Sequence, residues 1–341
     1  MPSWLIHLRV AELFNIPLKE AESVNKIVDY FYVHDLGKNL PSIGTYILEL
    51  ENKYLSEKQK KEKSLAKELE LAFSKMSSGT FSDAFFLHHA VDMLGLRISS
   101  ALLIKEDLDR RMPEMVRGII LDLNGIQYDV RRFCERRHFK SYPKLSERLN
   151  EKIEKELPSI GRFPELLAWV EDKVIRERRR FDDINYVKEL IENRLERIIR
   201  GGHGFAESQK KIYKATGLKE EAENLAEAYR RRYVFGSIMG YVAKLACYSS
   251  RIIDYFFVTD LSSELIKDTL FRKGSSLGGW HVDALINYPD KALDYIERDL
   301  RELEKSFLQK RGLELPEESI KTYYKILKMG YDLVCDKIKN N

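Results

Sequence analysis

The chain has 341 residues, 44% of them hydrophobic and 33% charged, with a formal net charge of +4. That is apolar material for one large core or two ordinary ones, and too little net charge to signal a polyanionic partner by itself. No stretch approaches the roughly 18 uninterrupted apolar residues of a membrane span, and Met1-Pro2-Ser3-Trp4 does not read as a secretory leader. The three scattered cysteines (Cys134, Cys247, Cys335) define neither a disulfide framework nor a metal site, so a reducing cytoplasm is the expected setting.

Amphipathic helical spacing begins at once. Leu5, Ile6, Val10, Leu13 and Phe14 form an apolar stripe over residues 5–14, and residues 57–75 read as a very basic helix with Leu65, Leu69 and Ala72 on its narrow apolar face. The pattern continues over 144–156 and 186–200 with heavily charged outer faces. Joints are expected at Ser77-Ser78-Gly79-Thr80, between Pro158 and Pro164, and at Gly274 to Gly279. Arg200-Gly201-Gly202-His203-Gly204 is expected to be the most flexible of them, because three glycines in four positions oppose a helix. No alternating strand pattern extends beyond a few residues, so the fold class is all-α. Three regions are expected: 1–110, a charged helical segment over 111–200, and a helical C-terminal region over 201–341.

The chain also echoes itself. Residues 27–40, IVDYFYVHDLGKNL, and 252–265, IIDYFFVTDLSSEL, are identical at eight of fourteen positions, and Val10-Ala11-Glu12-Leu13 has a counterpart in Val242-Ala243-Lys244-Leu245. This reads as a duplication with a decayed second copy. Thr259 stands where His34 stands, Met239 where His7 does, and the aspartates Asp29 and Asp254 are shared. Two buried helices in similar surroundings are expected, with a metal ion beside the first alone.

Four of the seven histidines, His7, His34, His88 and His89, fall in the first 89 residues. Imidazole and carboxylate suit borderline and hard divalent cations. An adjacent pair such as His34-Asp35 can grip one ion or bridge two from one rigid point, and needs further ligands from other helices. His7-Leu8-Arg9-Val10-Ala11, followed 27 residues later by His34-Asp35-Leu36-Gly37-Lys38, resembles the signature of HD-domain metal-dependent phosphohydrolases. That resemblance implies an HD-type helical bundle over the first third of the chain. Asp92, 57 residues beyond Asp35, is implied as the closing ligand, with His7, His34, Asp35 and Asp92 holding a divalent ion (Mn, Fe, Zn, Ni or Mg) and His88 or His89 supplying a second-metal ligand. Metal-activated water would attack a phosphate ester, with Asp35 catalytic and Lys38 contacting a phosphate oxygen. The substrate implied is a phosphorylated small molecule such as a nucleotide, or nucleic acid.

Two other readings stand beside it. The all-helical zinc-dependent phospholipase C and nuclease group shares an N-terminal histidine and a His-x-x-x-Asp on one helix, which His88 and Asp92 match. A non-catalytic helical module that binds RNA or protein is the third. The arginine clusters Arg110-Arg111, Arg131-Arg132, Arg136-Arg137, Arg178-Arg179-Arg180 and Arg230-Arg231-Arg232 are interleaved with acidic residues and read as solvated helix faces. His203 and His281 are lone histidines in glycine-rich surroundings.

Overall fold

The structure, a computed structural model, describes residues 2–30, 65–77, 79–274 and 279–340, and among them every regular element is helical. No helix among the described residues is long and apolar enough to cross a membrane. The chain divides into two units: Met1–Val174 with Phe257–Glu264, and Ile175–Phe256 with Leu265–Asn341.

In the first unit, α1 (Trp4–Leu13) and α2 (Leu18–Tyr30) pack against each other and against the long α4 (Gly79–Leu103), which α3 (Leu65–Met76) also contacts. Helix α4 is buried nearly all round, from Ala84 through Val91 and again at Leu94, Ile98 and Ala101. A helix apolar on every side belongs inside a unit. Helix α5 (Leu108–Arg136) begins at Asp107, whose side chain accepts from the backbone N–H groups of Asp109 and Arg110. It packs on α4 across position 110 and on α6 (Glu147–Ile160), with α7 (Pro164–Trp169) following. The stripe expected on α1 is rotated. Leu5 is 74% and Leu13 49% exposed, and the buried face runs through Ile6, His7, Val10, Ala11 and Phe14. A histidine therefore occupies the core side of α1, at the i, i+3, i+4 spacing that core residues use.

Arg97, only 1% exposed, ties Phe257–Glu264 into this unit. Its guanidinium donates to the carbonyls of Phe257 (2.7 Å), Thr259 (2.8 Å) and Leu261 (2.8 Å) and to Asp122 Oδ2 (3.0 Å). Asp122 in turn accepts from Ser263 N and Ser263 Oγ. Gly118 makes room, since a Cβ there would lie 2.6 Å from Arg97 Nη1.

The second unit begins with the short α8 (Arg176–Arg179) and is built on α9 (Ile184–Ala215) and α10 (Ala222–Ser249), against both of which α15 (Glu317–Asn340) packs. Between them lie α11 (Ile252–Phe257), α12 (Ser263–Gly274), α13 (Trp280–Asn287) and α14 (Ala292–Phe307). The glycine-rich stretch Gly201 to Gly204, expected as a flexible joint, is instead a continuous part of α9. Each helical glycine costs about 1 kcal/mol relative to alanine, but Gly202 is buried against α10, where a Cβ would sit 3.1 Å from Val234 Cγ2. Close helix–helix packing outweighs local propensity there. The expected joints after Met76 and between Ile160 and Pro164 are present.

Only the start of the first echo segment, the C-terminal end of α2, is described; residues 31–40 lie outside the described residues. Asp29 accepts from the Trp4 indole, whereas the fully buried Asp254 accepts from Arg178. The two aspartates thus have different partners.

Candidate metal centre

His7, His88 and Asp92 each offer a ligand atom within 4.8 Å of the others, the sole such group of three among the described residues. His7 comes from α1, and His88 and Asp92 are one turn apart on α4. The i, i+4 spacing sets His88 and Asp92 on one face of the helix. His7 Nε2 lies 3.4 Å from Asp92 Oδ1, and His88 Nε2 lies 3.4 Å from Asp92 Oδ2. The two imidazoles stack with centroids 4.2 Å apart.

Their hydrogen bonds fix which nitrogen faces inward. A carbonyl oxygen only accepts, so His7 Nδ1–H donates to the Ser3 carbonyl (3.2 Å) and His88 Nδ1–H donates to Asn25 Oδ1 (2.8 Å). In the neutral rings both Nε2 atoms then carry lone pairs aimed at one carboxylate. Histidines anchored through one nitrogen while the other faces a cation have this arrangement in metal sites. His7 Nε2 is buried and accepts no hydrogen bond. Burial pushes the Asp92 carboxyl upward; with no ion between them, His7 and His88 carrying a proton on Nε2 as well would donate to it and, as imidazolium, outweigh burial, holding the group well below the usual carboxylate range. The donor set, two imidazoles and a carboxylate almost out of water, fits a borderline divalent ion such as zinc, manganese or iron.

A further carboxylate stands close by. Asp29 Oδ1 on α2 is 3.7 Å from His88 Nε2, and Oδ2 of the same group accepts from the Trp4 indole. Asn25 and Asp29 are one turn apart on α2, as His88 and Asp92 are on α4. The sequence reading did not connect them to the histidines, although their spacing was available to it.

Of the other expected site residues, His89 is buried on a different side of α4, edge-on to Phe85 with centroids 4.7 Å apart. Its ring meets the His88 ring edge-on, with centroids 5.7 Å apart, but one residue of helix turns a side chain by about 100°, and His89 is not among the three groups whose ligand atoms converge. His34, Asp35 and Lys38 lie outside the described residues. Three arginines from the basic clusters are buried in ion pairs rather than solvated: Arg111 with Glu106 and Glu114, Arg178 with Asp254, and Arg230 with Glu227. His203 is exposed on α9. No protein-family model, curated protein or solved structure matches this chain.

Proposed function

We propose that the first unit is a metal-dependent phosphohydrolase that cleaves phosphate esters with metal-activated water, and that His7, His88 and Asp92 hold the ion. The observation that carries this reading is the convergence of two anchored, buried imidazoles on one partly exposed carboxylate. A divalent cation held there would lower the pKa of a bound water toward neutrality and offset charge building on phosphate oxygens. The chain's own residues do the rest. Ser3 and Asn25 fix the ring orientations, Asp92 supplies the negative charge, and Asp29 offers a second carboxylate for orienting water or taking up a proton.

Two versions of this reading divide on one histidine. The HD resemblance centres the ion on His34 and Asp35 with His7 and Asp92, gives Asp35 the catalytic role and Lys38 the phosphate contact, and points to nucleotides or nucleic acid as substrate. The phospholipase C and nuclease resemblance centres it on an N-terminal histidine and a His-x-x-x-Asp. The pairing of His88 with Asp92 on α4 favours the latter for the ligands described.

Metal content and phosphodiester and phosphomonoester turnover, measured on the wild type and on His88→Ala, His34→Ala and Asp92→Asn, test the reading. Asp92→Asn should lose both metal and activity. Loss in His88→Ala with retention in His34→Ala selects the second version, and the reverse selects the HD version. A wild type that binds no metal and hydrolyses no ester would leave the helical binding module as the function.

A further inference from the structure

A cavity of about 410 Å³ opens in the second unit between α13 and α14. Its size suits a small organic ligand. Three aromatic rings line it: Trp280, 65% exposed, Tyr288, 55% exposed, and Tyr295. The two tyrosines form a tilted pair with centroids 5.2 Å apart and planes at 40°. Large exposed aromatics gathered around one opening are costly to leave in water without a use.

The floor is rigid and fully engaged. His281, buried at 2% exposure, donates from Nε2 to Asp299 Oδ2 (2.8 Å) and accepts at Nδ1 from the buried Tyr323 hydroxyl (2.8 Å). Gly274 leaves space for that hydroxyl, which a Cβ would approach to 2.3 Å. Both ring nitrogens of His281 are thus engaged by protein partners, and the ring is held in place.

The charges select the sign of the ligand. Asp299 is balanced by Lys273 Nζ at 2.6 Å. The remaining charged groups on the lining are Asp283, Glu302 and Arg298. Among the described residues no ion pair engages the two carboxylates, and the Arg298 guanidinium lies over the Tyr295 ring, 5.0 Å from its centroid. The surplus is one negative charge, which opposes a phosphate or carboxylate ligand. The chain itself shows the geometry of the favoured alternative: the Lys273 ammonium sits 4.3 Å from the Trp280 ring centroid while paired to Asp299. Aromatic faces beside carboxylates attract ammonium ions through the ring quadrupole and direct charge pairing.

We infer that this cavity binds a small alkylammonium ion, held by the Tyr288 ring with Asp283 and Glu302 as counter-charges, while Tyr295 and Trp280 already carry Arg298 and Lys273. The site is independent of the metal centre. The cation can come from a quaternary ammonium or from a primary polyamine, and the assay separates these sources.

Titration of the full chain with choline and with putrescine, followed by calorimetry, tests it. The controls are 3,3-dimethylbutanol, the uncharged isostere of choline, and adenosine monophosphate. Saturable binding of either cation, with the isostere and the nucleotide at least about tenfold weaker, supports the site. Choline ahead of putrescine identifies a quaternary ligand, and the reverse a primary amine. Tyr288→Ala and Glu302→Gln change exposed side chains, so the fold should persist by circular dichroism, and each should weaken binding by about tenfold. Equal affinity for the isostere, preference for the nucleotide, absence of saturable binding by every probe, or unaltered binding in both folded variants would overturn the inference.

Discussion

Replacing Arg97 with methionine keeps an unbranched apolar stem and removes the guanidinium. Four hydrogen bonds disappear, three to backbone carbonyls of residues 257–261 and one to Asp122. Breaking a buried ion pair from one side costs about 3–5 kcal/mol. Asp122 keeps Ser263 N and Ser263 Oγ as donors, which argues for the lower end, about 3 kcal/mol. Three carbonyls, two of them buried and one partly so, add about 1 kcal/mol each when deprived of a charged donor. The sum, about 6 kcal/mol, is comparable to the whole stability of many domains. Urea unfolding of Arg97→Met should therefore show either global loss of the first unit or release of the 257–264 segment, seen as fast amide hydrogen exchange there. The double variant Arg97→Met/Asp122→Leu should be more stable than the single one, because it no longer buries a lone carboxylate. Gly118→Ala should destabilise by about 2 kcal/mol by crowding the guanidinium. A single variant within about 1 kcal/mol of wild type, with unchanged exchange at 257–264, would refute the clamp.

Two further outcomes are expected. Asn25→Ala removes the acceptor that orients His88 and should weaken metal affinity by about 10–100-fold; unchanged affinity in a metal-competition assay would show that His88 needs no such anchor. Burial outweighs the Asp299 hydrogen bond and holds the His281 imidazole below its ordinary value. The unfolded chain then binds more protons below pH about 6.5. The stabilisation from His281 is fully present above that pH and is lost as pH falls toward the depressed folded-state value. Wild-type Tm should therefore fall faster on acidification than that of His281→Gln, and parallel curves would remove His281 as the cause.

What could be read from the chain alone depended on how local the deciding physics was. Helical class and the helices read over 5–14, 144–156 and 186–200 follow from apolar spacing, which is local. That His88 shares a face with Asp92 is also local, set by the four-residue step, although the sequence left both His88 and His89 as candidates. The phase of α1 was misjudged because Leu5 and Leu13 are apolar, while the core beside α4 takes Ile6 and His7 instead. Gly201 to Gly204 was misread because the balance there is set by α10, a separate helix. Arg97 gave no signal at all. A charged residue on an apolar helix acquires its meaning from carbonyls about 160 residues further along the chain.

The clamp also sets an order of events during synthesis. The first unit's partners for Arg97 and Asp122 lie at Phe257–Glu264, beyond a stretch of the second unit that starts at Ile175. At about 5–20 residues per second, the ribosome delivers those partners roughly 5–20 s after Val174. Through that interval a guanidinium and a carboxylate destined for the interior have each other but not their partners at 257–263, so that side of the unit cannot yet be completed. Helices α1, α2 and α4, which carry His7, Asn25, Asp29, His88 and Asp92, are already made by then. The candidate metal ligands can therefore assemble, and meet an ion, before the unit that contains them is closed.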